Sequence, residues 1–364
     1  MKSRIEAAAL PLQRFWRACR RKRIKPLGER LTRATQKHTE AHGPALMGAG
    51  RIKRLGAGHQ RLKSRKAVPR ARRPRRAGEK TMYLADAWED YEILDAGGGN
   101  KLERWGDVRL LRPDPQAIWP MEAPKAVDAR YIRAATGGGH WEYAKALPDG
   151  WRIRYRDLSF LVRPTGFKHT GLFPEQAVNW DWMRGLVGGA QARPFRVLNL
   201  FAYTGGATAA LAAAGAEVVH VDAAKGMVAW AKENLEQSGL GDRPVRFIVD
   251  DVMKFVLREQ RRGRLYEGIL MDPPSYGRGP GGEMWKIEEG LYPLVAECVK
   301  LLSENVRFFL INSYTTGLAP TVLSNVLQTA LAGRGGRVEA GEVGLPISRG
   351  TLVLPCGASG RWQR

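Results

Sequence analysis

A carboxylate and two prolines close an apolar run at Gly268-Ile269-Leu270-Met271-Asp272-Pro273-Pro274-Ser275-Tyr276. Such a run reads as a buried parallel strand that stops abruptly at its carboxyl end, which is where open α/β sheets place their ligands. Proline fixes φ and brings no N–H, so the turn is stiff and its carbonyl oxygens are left to accept hydrogen bonds from a bound molecule. With Asp272 as a further acceptor and the Tyr276 ring as a stacking surface, the set suits the amine or ring edge of a nucleobase. A plain strand-ending turn is the alternative for an isolated Asp-Pro-Pro. A second motif upstream tells against it.

That motif is Arg196-Val197-Leu198-Asn199-Leu200-Phe201-Ala202-Tyr203-Thr204-Gly205-Gly206, followed by an alanine-rich stretch (207–214) and by Glu217-Val218-Val219-His220-Val221-Asp222. Strand, glycine turn, helix and a strand ending on an acid make a βαβ unit, in which glycines let the backbone approach a ligand and Asp222 can accept from ribose hydroxyls. Gly205 and Gly206 do not complete G-x-G-x-x-G, so an adenosyl ligand without a pyrophosphate fits better than a dinucleotide. Residues 245–249 predict a third strand ending on Asp250-Asp251, where one carboxylate can accept from an adenine amine. The fourth strand delivers Asp272. Glycine turn, ribose acid, adenine acid and substrate turn thus fall in order along successive strands, and the order is more specific than any member.

At these residues the chain resembles the class I S-adenosylmethionine-dependent methyltransferases, and within them the large-subunit ribosomal RNA methyltransferases of the I and K types. The resemblance runs from Phe167 to Trp362 and includes Gly171-Leu172-Phe173-Pro174-Glu175-Gln176 with Asn179, the Asn199 to Gly205 segment, Asp272 to Gly277, and Leu354-Pro355-Cys356-Gly357. It implies a Rossmann-like seven-stranded α/β domain that uses S-adenosyl-L-methionine. Phe201, Ala202, Tyr203, Thr204, Gly205 and Asp222 would hold its methionine and ribose, Asp251 its adenine amine, and Asp272, Pro273, Pro274 and Tyr276 the acceptor base. Phe173 and Gln176 would lie beside the cofactor, although the I and K types carry a His-Arg pair where this chain has Glu175-Gln176; the first turn of a packing helix is the alternative. RNA is the implied partner, large-subunit ribosomal RNA in particular.

One departure bears on the chemistry. Methylation of cytosine C5 requires a cysteine thiolate to attack C6 of the ring, and the resembling cytosine enzymes carry that cysteine at the end of the fifth strand. Here the fifth strand, expected over 306–311, ends on Asn312-Ser313-Tyr314. Cys298 falls on the apolar face of the preceding helix and reads as core; Cys356, near a final strand, is the outside candidate. Methylation of a nitrogen is the expectation, since it needs only a lone pair aimed at the methyl group and an acceptor for the proton.

Composition sets the frame around this site. The net charge of +23 suggests nucleic-acid binding, but residues 1–81 hold 25 Lys and Arg against 4 Asp and Glu, leaving 34 against 32 of the chain's totals of 59 and 36. The basic first segment lacks the periodic apolar content of a folded domain. It reads as a disordered phosphate-binding arm, as an organellar transit peptide, or as a stretch outside the working protein with translation starting at Met82. The remaining 283 residues are long enough for one large and one smaller core. Cysteines 19, 298 and 356 make no metal or disulfide spacing, which points to a reducing compartment such as the cytoplasm.

Residues 82–165 alternate apolar and polar positions, with hairpin chemistry at Ala96-Gly97-Gly98-Gly99-Asn100 and Trp105-Gly106-Asp107, and read as a small antiparallel β domain before the methyltransferase domain of 166–364. Downstream, Gly277-Arg278-Gly279-Pro280-Gly281-Gly282 can close over a ligand, with Arg278 and Lys286 meeting phosphates. Two other functions stay open: methylation of a small metabolite or a protein side chain, and a non-catalytic RNA-binding protein with a degenerate cofactor site.

Overall fold

Alternating sequence becomes one-face burial in the first half of the molecule. The computed structural model describes residues 82–364 apart from 125, 135–137, 191–193 and 279–283; the basic segment 1–81 and much of the 277–282 glycine loop lie outside the described residues. After a short first strand β1 (Met82–Leu84), strands β2 (Tyr91–Gly97), β3 (Asn100–Trp105), β4 (Val108–Pro113), β5 (Ala129–Arg133) and β6 (Gly139–Tyr143) form one sheet in that order. It is antiparallel except where β4 meets β5, which pair in parallel. A separate hairpin follows, β7 (Trp151–Tyr155) and β8 (Leu158–Val162).

The apolar runs at the centre of the second half, over 197–200, 268–271 and 308–313, become strands buried on both faces, as a covered parallel sheet requires. After helix α1 (Ala177–Gly188) come β9 (Arg196–Leu200), α2 (Gly206–Ala213), β10 (Glu217–Asp222), α3 (Lys225–Gln237), β11 (Val245–Val249), α4 (Val252–Arg261) and β12 (Gly268–Met271). A small ribbon, β13 (Tyr276–Arg278) and β14 (Met284–Lys286), leads to α5 (Ile287–Val299), β15 (Phe308–Ser313), α6 (Pro320–Ala330), β16 (Arg337–Pro346) and β17 (Val353–Gln363). The large sheet has the order β1-β16-β17-β15-β12-β9-β10-β11, with only β17 antiparallel to its neighbours. Seven of these strands make the expected sheet. The eighth, β1, adds to its edge, so Met82–Leu84 belongs to this sheet rather than to the preceding β-rich segment.

One core lies between the large sheet and the β-rich segment, uniting Trp105, Ile153 and Phe160 with Trp180, Val197 and the alanines of α2. The other lies across the sheet under α4, α5 and α6. Polar bonds fix the first contact: the Asn234 side chain accepts from the Leu161 N–H at 2.9 Å, and the Trp230 indole donates to the Leu161 carbonyl at 3.0 Å. Among the described residues no helix is long and apolar enough to cross a membrane, and no group of His, Cys, Asp and Glu could hold a metal ion.

The paired glycines have a packing reason. Gly205 takes φ +82°, and a Cβ there would stand 2.9 Å from that of Ala231; a Cβ on Gly206 would stand 2.6 Å from the Trp180 ring. These close approaches are between helices, not between backbone and ligand. Gly206→Ala should therefore destabilise the fold by about 1 to 3 kcal/mol through overpacking, a gain in helix propensity of under about 1 kcal/mol notwithstanding. Urea denaturation reads the change; unaltered stability would mean that Trp180 is free to move.

Candidate active site

The turn that leaves β9 is built from strained backbone. Phe201 and Tyr203 adopt φ of 54° and 51°, the left-handed region that a side chain disfavours, at a cost of about 1 to 3 kcal/mol each. Hydrogen bonds from the next strand hold them. The Ala202 N–H donates to the Val221 carbonyl at 3.1 Å, and the Tyr203 N–H donates to Asp222 Oδ2 at 2.8 Å. Asp222 Oδ1 accepts from the Ala224 N–H at 2.8 Å. Burial raises this carboxyl while the two N–H bonds act to lower it.

Beside this turn lies a cleft of about 380 Å³. Asp222, Asp251 and Asp272 line it from the ends of β10, β11 and β12, with Pro273, Pro274 and Ser275 continuing from Asp272. Phe173, Phe201, Trp285 and Tyr314 supply aromatic walls. Asp251 caps α4, with Oδ1 accepting from the Lys254 N–H at 2.9 Å. Its other oxygen accepts no hydrogen bond among the described residues.

Asp272 differs from the other two acids. Its Oδ1 is enclosed and has no hydrogen-bond partner among the described residues. Burial, and then the neighbouring Glu175 carboxyl, push its pKa up to about 7. The Pro274 carbonyl accepts from the Trp285 indole at 2.7 Å, whereas no described group donates to the Pro273 carbonyl. An enclosed carboxyl and a fixed, unbonded carbonyl next to flat rings can bind an N–H edge of a planar base.

The structure relocates several expected side chains. Tyr276 does not line the cleft: its neighbours Ser275, just before β13, and Gly277 do, and Tyr276, 56% exposed, directs its hydroxyl to Met284 Sδ at 3.6 Å. Strand periodicity forces that outcome. Tyr314, just beyond β15, supplies a ring in the cleft instead. Its hydroxyl accepts from Gln176 Nε2 at 2.7 Å, and Gln176 Oε1 accepts from Asn179 and Asn312, each at 2.8 Å. Gln176 is thus committed to a buried network that orients Tyr314. With Ala202 and Thr204 it lines a separate recess of about 60 Å³, which shares Phe173, Phe201, Tyr203 and Asp272 with the cleft. Gly205 lines neither.

Lys286, expected at a phosphate, is bonded to Glu289 at 2.8 Å. Cys298 is enclosed in the core against α5's neighbours, and Cys356, buried on β17, lies outside the cleft lining with its thiol held well above the usual range by burial. His169, which no sequence motif singles out, also lines the cleft, its ring 5.4 Å from that of Phe173 in a tilted arrangement. Burial and the cations Arg112, Lys168 and Lys101 lower its pKa to about 4, so it stays neutral. Its place directly before Thr170-Gly171-Leu172-Phe173 was the available signal.

A family model of S-adenosylmethionine-dependent methyltransferases matches residues 126–283. The crystal structure of a SAM-dependent methyltransferase from Agrobacterium tumefaciens is 37% identical, covering 80% of this chain and 97% of that one with a TM-score of 0.74. A methyltransferase crystallised with SAH shares the fold at 18% identity, with a TM-score of 0.62 over 76% of each chain. A ribosomal RNA large subunit methyltransferase K/L from Shewanella frigidimarina is 33% identical over 156 residues, 42% of this chain. The chain spans about a fifth of that relative's length, 21%.

The Asp272 carboxyl gives stability a sign with pH. Titrating near 7 when folded and near 3.8 when unperturbed, it binds more protons in the native state than in the unfolded one between those values. Its contribution is fully present below about pH 4 and is lost as pH rises through 7. Asp272→Asn should therefore gain stability relative to the native chain by about 2 to 3 kcal/mol between pH 5 and pH 8. Urea denaturation at the two pH values checks this, and a difference independent of pH would contradict the enclosure of Asp272.

Proposed function

We propose that this chain, which belongs to the S-adenosylmethionine-dependent methyltransferases, methylates a nitrogen of a base in large-subunit ribosomal RNA. The observation that carries the chemistry is the Asp272 end of the cleft, where an enclosed acceptor and the Pro273 carbonyl stand beside aromatic rings and no thiol lines the wall. Bound S-adenosylmethionine supplies an electrophilic methyl group. Asp222, already fixed by two N–H bonds, would accept from the ribose hydroxyls with its remaining lone pairs, and the second oxygen of Asp251 would accept from the adenine amine. The turn from Phe201 to Thr204 would hold the methionine portion, with Ala202 and Thr204 at the adjoining recess.

For the acceptor, Asp272 and the Pro273 carbonyl take hydrogen bonds from the base edge and aim its nitrogen lone pair, while Tyr314 and Phe173 confine the ring. Asp272, titrating near neutrality, can receive or spread the proton that the nitrogen releases. Carbon methylation would need a thiolate in contact with the base. Ribosomal RNA as substrate rests on the names of relatives that this chain matches over part of their length. The near balance of charge after residue 81 favours one second reading, a small-molecule or protein acceptor handled by the same residues.

Asp222→Ala should weaken S-adenosylmethionine binding by about 1.5 to 3 kcal/mol for each charge-assisted hydrogen bond lost. Calorimetry on the folded variant decides, and unchanged affinity rejects the ribose role. Asp272→Ala should lower methyl transfer at least about a hundredfold, the scale of a positioned acid–base group, while Cys298→Ser and Cys356→Ser keep most activity. A stable adduct with RNA containing 5-fluorocytosine that vanishes in Cys356→Ser would contradict nitrogen methylation.

A further inference from the structure

A second cavity, about 460 Å³, shares His169, Phe173 and Tyr314 with the cleft, so these three side chains form the wall between them. Its remaining surface is drawn from both halves of the molecule and is rich in cations: Lys101, Arg112, Arg133 and Lys168. Two of the four are neutralised locally. Arg112 is buried, donating to both oxygens of Glu103 at 2.5 and 2.6 Å, and Lys101 stands 3.3 Å from Asp114. Lys168 and Arg133 have no carboxylate partner within ion-pair distance among the described residues; the Lys168 ammonium makes only a long 3.5 Å contact there, to the Pro113 carbonyl. The remaining acid of the lining, Glu175, is pushed toward its neutral form by burial. Burial and then the charge of Lys101 depress the Lys168 ammonium. With Asp114 already engaged by Lys101, two cations that no carboxylate contacts share one concavity, a setting that suits an anion.

We propose that this second cavity binds a phosphate of the polynucleotide acceptor through Lys168 and Arg133, holding the strand while the neighbouring base passes the His169–Phe173–Tyr314 wall toward Asp272. The inference rests on the proposed RNA substrate. Phosphate contacts set the register of a strand, and the cleft reads the base. The volume admits a nucleotide rather than a lone ion, and its polar, cationic lining contrasts with the aromatic walls next door. Arg112, tied to Glu103 and to the Lys168 carbonyl at 2.9 Å, fixes the segment that carries Lys168.

The test compares the full chain with Arg133→Ala/Lys168→Ala and with a control, Lys300→Ala/Arg337→Ala. The control residues sit just after α5 and at the start of β16, and line neither cavity. All three proteins keep residues 1–81, so any contribution of that segment cancels. Fluorescence anisotropy with a 12-nucleotide single-stranded oligoribonucleotide should show about a tenfold or larger loss of affinity in the first variant. Its slope of log K against log salt should fall by about 0.7 to 1.4. The control should change little. A loss no greater than the control's overturns the inference. Competition by a nucleoside monophosphate as effective as the oligonucleotide would assign the site to a free nucleotide and overturn the polynucleotide source. Calorimetry with S-adenosylmethionine separates the two claims: absent binding to the wild-type chain sinks the methyltransferase reading of the cleft, whereas the anisotropy comparison still judges the cavity.

Discussion

The bond from the Tyr203 N–H to the Asp222 carboxylate holds the centre of this molecule in place. It ties the ends of two adjacent parallel strands and keeps Phe201 and Tyr203 in backbone conformations that neither would choose alone. The cleft has that turn as one wall, with Asp251 and Asp272 from the flanking strands completing its floor. A single carboxylate therefore fixes the turn from both oxygens, one lone pair on each going to the backbone, while facing the cleft. The strain is affordable because two cores clamp the sheet on both faces.

The parallel sheet and its order of acids were legible because each signal is local: an apolar run, then a polar residue at the strand's carboxyl end. Asp222, Asp251 and Asp272 reach one cleft for that reason. What depended on direction or on long-range packing was not legible. Tyr276 lies one residue from cleft-facing Ser275, and the two-residue period of β13 turns it outward. Gln176 carries an amide that could have met a ligand, but Asn179, Asn312 and Tyr314 claim it, and two of those are more than 130 positions away. The Gly205-Gly206 pair looked like a ligand approach; Ala231 and Trp180 reveal helix packing. β1 joined the large sheet because β16 offered a free edge, a pairing no local pattern announces.

The charge of the described residues follows the same logic. Near neutrality in sum hides a segregation in which Glu103 and Asp114 spend themselves on Arg112 and Lys101 and leave Lys168 and Arg133 uncompensated at one cavity. The three acids Asp222, Asp251 and Asp272 line the adjoining cleft. His169, Phe173 and Tyr314 separate the two environments. A neutral imidazole suits that position, since a further positive charge there would sit against the cations behind it.

Incubation of large-subunit ribosomal RNA with the full chain and methyl-labelled S-adenosylmethionine, followed by digestion and mass spectrometry of the nucleosides, tests the account at its centre. The result expected is a single labelled base with its methyl group on nitrogen, absent when Asp272 is replaced by alanine. Label on cytosine C5, or label found in protein or small molecules while the RNA stays unmodified, would contradict it.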